Sequence, residues 1–116
     1  MTSPQKRKGD QFERQVRDYL LSNGWPFVAR VPAGATDDVG DLLLPADVSC
    51  TVDCKNHGRL DLAGWVDRAG AQAANANRVA GFVVAKRRGT TDPSRSYVVT
   101  DLSMFSDFVQ RLRGVK

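Results

Sequence analysis

Apolar and polar positions alternate with two different periods along the chain. From Gly9 onward, Phe12, Val16, Tyr19 and Leu20 recur three and four apart, the spacing of one buried helix face. Asn23-Gly24 predicts the end of that helix, since glycine commonly follows the last helical residue. Trp25 to Val31 reads as a short strand, with Phe27-Val28-Ala29-Arg30-Val31 ahead of Pro32. Ala33 to Asp38 is a loop of small and polar residues. Val39 to Leu44 is the first expected core strand. Pro45-Ala46-Asp47 forms a turn, so Val48 to Lys55 is expected to return antiparallel as a hairpin. Asn56 to Arg59 is loop. Leu60 or Asp61 to Arg78 predicts a second helix, with Leu62, Trp65, Val66, Ala69 and Ala73 on one side and alanines suited to close packing on a sheet. Ala80 to Lys86 is a continuous apolar run, typical of a strand covered on both faces. Thr90 to Ser94 is a turn, and Ser96 to Thr100 an edge strand. Thr100 or Asp101 is expected to cap a last helix carrying Leu102, Phe105, Phe108, Val109 and Leu112. The order α-β-β-β-α-β-β-α is an α/β architecture, a mixed central sheet flanked by helices.

The chain has 116 residues, which suits one domain over residues 1–116. Residues 1–8 are expected to be a flexible basic leader, without the apolar stretch of a signal peptide. No run approaches the ~18 apolar residues that a membrane span needs. The net charge of +4 favours a polyanionic partner such as nucleic acid. Cys50 and Cys54, on one strand, would lie about 13 Å apart, too far for a disulfide. Reduced thiols imply a cytoplasmic setting. Two cysteines and the single histidine are too few for a structural zinc site.

Charge set into the apolar runs carries the candidate chemistry. Asp53 and Lys55 are two apart, so a strand turns both to one face, about 7 Å apart along it. Val52 and Cys54 then face the other way. The hairpin turn would bring Asp41 level with both. Glu13 borders the buried face of the first helix and could reach in. Cutting a phosphodiester requires a metal, carboxylates to hold it, and a cation to steady the charge of the transition state. Two carboxylates and the carbonyl of residue 54 would suit Mg²⁺, which prefers oxygen ligands. Lys55 supplies the cation, and with a metal it relieves the repulsion between the acids. The same residues also read as a salt-bridged edge strand, and Glu13 as an exposed acid near a helix N-terminus. Lys6, Arg7, Lys8, Lys86, Arg87 and Arg88 suit a DNA face or simply solvated charge. His57 and Arg59 follow Lys55 and could line the mouth of the site, although a lone histidine is also an ordinary loop residue. Trp25 and Trp65 read as packing anchors, and Trp65 would also suit a dimer surface.

A helix Glu, a strand Asp, Asp-x-Lys on the next strand and then a helix with Gln resembles the PD-(D/E)xK nuclease superfamily. More narrowly, Lys8-Gly9-Asp10-Gln11-Phe12-Glu13-Arg14 is similar to the opening of the archaeal-type Holliday-junction resolvases. Arg30-Val31-Pro32-Ala33-Gly34, followed by Gly40-Asp41, resembles their segment before the first metal-binding Asp. The similarity runs from about Lys8 to Arg88. It implies a restriction-endonuclease-like fold and a Mg²⁺-dependent endodeoxyribonuclease, with Mn²⁺ able to substitute. It also implies a homodimer acting on four-way or other branched DNA. Glu13, Asp41 and Asp53 would be the acidic, metal-holding residues, Lys55 the catalytic lysine and Gln72 a supporting polar group. Thr36 would stand in the mobile loop where the family often has Ser, and Arg14 and Arg30 would hold phosphates. This chain departs from the pattern twice. Its first Asp follows Gly40 instead of Pro, and its second acid is Asp53, where these resolvases usually have Glu. A restriction-like or recombination-associated nuclease on linear DNA, and a non-catalytic DNA-binding module, stay open as alternatives. A small stand-alone resolvase would suit a virus or mobile element.

Overall fold

The computed structural model describes residues 3–32, 34 and 36–114. Helix α1 spans Pro4–Ser22. It starts earlier than the sequence pattern suggests, and the expected leader is corrected accordingly: Lys6, Arg7 and Lys8 are helical, while residues 1 and 2 lie outside the described residues. The cause is a start signal in the leader itself. The Ser3 Oγ accepts the Lys6 N–H at 3.1 Å, and Pro4 opens the helix where its missing N–H costs nothing. Asn23 caps the other end, and Gly24 follows at φ +99°.

The remaining elements are β1 (Ala29–Arg30), β2 (Leu42–Leu43), β3 (Cys50–Lys55), α2 (Leu62–Asn75), β4 (Ala80–Ala85), a 3₁₀ turn (Pro93–Arg95), β5 (Tyr97–Val99) and α3 (Leu102–Leu112). The five strands form one mixed sheet in the order β1-β2-β3-β4-β5. The hairpin expected from Pro45-Ala46-Asp47 is present: β2 and β3 pair antiparallel, Leu42 opposite Val52 and Leu43 opposite Thr51. Strands β3 and β4 are parallel and joined through α2, and β5 returns antiparallel on β4. The chain is thus α/β, as its periodicity indicates. Strands β1 and β2 are shorter than their apolar runs. Pro26 and Pro32 bracket the first run and lack donors for a ladder. The second is interrupted by Gly40 at φ +90°.

Alternate residues of β3 and β4 serve two cores. Cys50 and Val52, with Phe82 and Val84 beside them, pack with Phe12 and Val16 of α1. Val83 and Ala85 pack with Trp65 and Ala69 of α2, which makes Trp65 a packing anchor. Helix α2 lies very close to the sheet. A Cβ on Gly81 would fall 2.1 Å from the Ala69 carbonyl oxygen, so a side chain there has no room. Helix α3 is capped by Asp101, whose Oδ1 accepts the Met104 N–H at 2.8 Å, and it sets Phe108 edge-on against Phe82. Cys50 and Cys54 are free thiols. Among the described residues, no helix is long and apolar enough to cross a membrane.

Candidate active site

The β2–β3 register places Asp41 one step beyond Leu42 and Asp53 one step beyond Val52. In an antiparallel pair, opposed residues share a face, and the two carboxyls do meet: the charge of Asp53 and a side-chain hydrogen bond with it both act on Asp41. Two backbone bonds fix Asp41 there: its N–H donates to the Val52 carbonyl, and its own carbonyl accepts from Val31 N–H, both at 2.9 Å. Its Oδ2 accepts the Cys54 N–H at 2.7 Å. Residue 54 therefore meets the site through its amide hydrogen. Burial, and then repulsion from Asp53, push the Asp41 carboxyl up to about 7 against the opposing pull of that N–H. Burial, reinforced by the charge of Asp41, likewise pushes the Cys54 thiol well above its ordinary value.

Lys55 projects on the same face as Asp53, with Nζ 3.3 Å from Asp53 Oδ2. That oxygen is buried and has no hydrogen bond, so the contact is an ion pair without hydrogen-bond alignment. Asp53 is 4 % exposed, and a charge that deep requires a partner. Gln72, 1 % exposed, donates Nε2 to both carboxylate oxygens of Asp38 at 3.1 and 3.2 Å. Its Oε1 is buried with no partner and lies beside Gly40, 3.5 Å from where a Cβ would stand.

Glu13 arrives from α1 on the opposite side of the sheet. Its Oε1 accepts from Arg30 Nη2 at 3.1 Å. Arg30, expected to hold a phosphate, thus neutralises Glu13, and its Nε is buried without a partner. The charge of Glu13 still contributes to raising Asp41. Among the described residues, no group of three or more His, Cys, Asp or Glu side chains is arranged to hold a metal ion. What converges is the pair Asp41 and Asp53, with Lys55 on the Oδ2 of Asp53 and the unpartnered Gln72 Oε1 beside Gly40. Mg²⁺ is commonly held by one or two carboxylates with waters completing its shell, so a two-carboxylate site with unsatisfied acceptors fits such an ion.

No protein-family model, curated protein or solved structure matches this chain. What the site can do therefore rests on its own groups.

A cleft of about 420 Å³ opens beside Asp41, lined by Lys6, Asp10, Glu13, Arg30, Thr36, Asp41 and Arg68 among others, while Asp53 lies behind it, outside the lining. Lys6 and the exposed Thr36 are both on its lining. Arg7, Lys8 and Arg14 lie exposed on α1. The His57 ring lies tilted against Trp65, with centroids 5.8 Å apart, and its carbonyl accepts from Arg88 Nη2. Arg59 is exposed. Arg87 covers the Tyr97 ring at 5.5 Å, and Lys86 N–H continues the parallel ladder to the Lys55 carbonyl.

Asp38 and Arg68 are the site residues that sequence reasoning passed over. Burial alone would raise the Asp38 carboxyl, but hydrogen bonds from Gln72, Arg68 and the Gly40 N–H hold it below its ordinary value. Arg68 Nε donates to Asp38 Oδ2 at 2.9 Å, and Asn75 Nδ2 donates to the Asp38 carbonyl at 2.9 Å. One signal was available: Arg68 lies four residues before Gln72 and so shares its helix face.

Proposed function

We propose that this protein is a metal-dependent endonuclease that cuts phosphodiester bonds in DNA, with four-way or otherwise branched DNA as its substrate. The observation that carries the reading is the apposition of Asp41 and Asp53 on one face with Lys55 beside them. A buried acid, Asp53, held against a half-buried one, Asp41, raises the free energy of the empty site, which a divalent cation lowers. Asp41 and Asp53 would hold that cation, with Gln72 Oε1 as a further acceptor nearby. A cation bound there supplies charge neutralisation and a water of lowered pKa. Lys55 places a positive charge where the transferred phosphate gains negative charge. Cys54 N–H fixes the orientation of Asp41. Lys6 and its helical neighbours Arg7 and Lys8 offer phosphate contacts, which bind without reading sequence.

The preference for branched DNA, and assembly as a homodimer that makes paired symmetric cuts, rest on the resemblance carried by residues 8–14 and 30–41. A second reading has its own support. The Glu13–Arg30 and Asp53–Lys55 ion pairs are also what a non-catalytic DNA-binding module would contain.

The deciding experiment incubates the protein with a synthetic immobile junction and with a duplex of equal sequence, with Mg²⁺ and with EDTA. Nicking of the junction in Mg²⁺, abolished by Asp41→Asn with DNA binding retained, is the expected result. Equal cutting of both substrates removes the branched-DNA reading. DNA binding without nicking under any divalent metal favours the module.

A further inference from the structure

We propose that Arg68 is a phosphate-binding residue on the α2 side of the cleft, and that Asp38 is the positioning residue that aims it. The inference deepens the nuclease reading and rests on the cleft accepting nucleic acid.

Two cations near the acid pair are already engaged, Lys55 with Asp53 and Arg30 with Glu13. Lys6 also lines the cleft, but its ammonium is a point charge without a fork. Arg68 uses only Nε, on Asp38. Among the described residues, neither of its terminal Nη atoms makes a hydrogen bond or ion pair. A guanidinium is planar, so holding Nε fixes the plane and leaves the Nη1–Nη2 edge as a fork. That edge matches two oxygens of a phosphate.

Asp38 is built as a fixed mount. Both of its carboxylate oxygens accept from the buried Gln72, Oδ1 accepts the Gly40 N–H at 3.2 Å, and its carbonyl accepts from Asn75. These bonds tie the loop to two successive turns of α2. They also explain why Gln72 is buried with its amide turned to the loop. Arg68 and Asp41 line the same cleft, and the charges of Asp41 and Asp53 act on the Arg68 guanidinium. A phosphate gripped by Arg68 would sit in the cleft that Asp41 lines. The Arg68 and Asp38 side chains are 60 % and 45 % exposed, and surface ion pairs of that kind contribute little stability. Stability alone does not account for the arrangement.

The test measures binding of a labelled immobile junction in EDTA, where no cutting occurs, across a salt series, for wild type, Arg68→Gln, Arg68→Lys and Asp38→Asn. Melting temperatures are taken in parallel. Arg68→Gln is expected to weaken binding about fivefold or more, and to lower the slope of log K against log[salt] by about one. Arg68→Lys keeps the slope but not the full affinity, because it lacks the fork. Asp38→Asn keeps the slope too, and in Mg²⁺ lowers kcat more than it raises KM. Arg68→Gln binding with wild-type affinity and slope overturns the proposal. So does a loss that Arg68→Lys fully restores, since that is charge without aim. Wild type that binds no junction at any salt overturns the nucleic-acid reading and this inference with it. Wild type that binds without nicking, with the Arg68 slope effect present, overturns the nuclease reading alone.

Discussion

Asp41 accepts the backbone N–H of Cys54 at 2.7 Å, while the lysine on the same face is paired with Asp53. A neutral amide thus orients the carboxylate, and among the described residues no side-chain cation pairs with it. Asp53 opposes it directly across the hairpin. The consequence is a carboxyl pushed up to about 7 by burial and by its neighbour, against an ordinary value of 3.8.

That shift has a definite sign for stability. A carboxyl raised in the folded state holds its proton after the unfolded chain has lost its own. Between about pH 4 and pH 7 the native state binds more protons, so stability falls as pH rises and levels off above 7. Asp41→Asn removes this dependence. It is expected to stabilise the metal-free protein at pH 8 by on the order of 1–3 kcal/mol, and to change little at pH 4. Urea denaturation at the two pH values checks it. An Asp41→Asn protein less stable than wild type at pH 8 contradicts the apposed-acid description.

Divalent metal should reverse the same penalty. Ligands that bind only the native state raise its stability by RT ln(1 + [L]/Kd), about 2.7 kcal/mol at a hundred times Kd. Adding Mg²⁺ at pH 8 is therefore expected to raise the melting temperature of wild type, and EDTA to reverse it. Neither Asp41→Asn nor Asp53→Asn should respond as strongly. An equal shift in all three proteins would mean that the metal binds elsewhere.

Much of this was legible in the chain, and the reason is local. Pro45-Ala46-Asp47 between two apolar runs specifies a hairpin, and a hairpin of that length brings Asp41 level with Asp53. Strand period then puts Lys55 on the same face. Long-range polar contacts were not legible. Glu13 and Arg30 each looked like site residues by position, but only their spatial meeting reveals that they neutralise each other. Asp38 looked like any loop acid, and its four donors come from Arg68, Gln72, Asn75 and Gly40. No periodicity encodes such a hub. The helical state of Lys6 to Lys8 was encoded, in Ser3-Pro4, but the weak apolar pattern there concealed it.

Gly40 explains why glycine precedes the first Asp. At φ +90° proline is impossible, since its ring holds φ near −65°. A Cβ would also meet the Val52 carbonyl at 3.0 Å. Gly40→Ala is expected to cost about 2–3 kcal/mol, from left-handed strain plus the contact, and to abolish cutting by displacing Asp41. Gly24→Ala is the control: φ is +99° with nothing within 4 Å, so it should cost only about 1 kcal/mol. Equal losses in the two variants would remove the steric part of this account.

Lys55 offers a way to separate catalysis from folding. Lys55→Met leaves Asp53, 4 % exposed, without its ion-pair partner, and such a loss costs about 3–5 kcal/mol at a fully buried site. The double variant Lys55→Met with Asp53→Asn removes the stranded charge and is expected to recover most of that stability. It should not recover nicking. Recovery of nicking by the double variant would show that neither Asp53 nor Lys55 is needed for cutting and would remove both from the site.

The packing of α2 on the sheet is the last test, because it sets where Arg68 and Gln72 stand. Gly81 faces Ala69 so closely that a Cβ would lie 2.1 Å from the Ala69 carbonyl oxygen and 3.1 Å from its Cβ. Both are on the helix itself, so no side-chain rotation relieves the clash and α2 must move outward. Gly81→Ala is expected to cost about 2–3 kcal/mol, the upper range for overpacking, and to weaken junction binding as the loop latch shifts with the helix. Gly9, inside α1 with nothing within 4 Å, is the opposite case. Gly9→Ala should stabilise by about 0.5–1 kcal/mol through helix propensity. Chemical denaturation of both variants reads the contrast, and a neutral Gly81→Ala would mean that α2 does not sit against β4 at this distance.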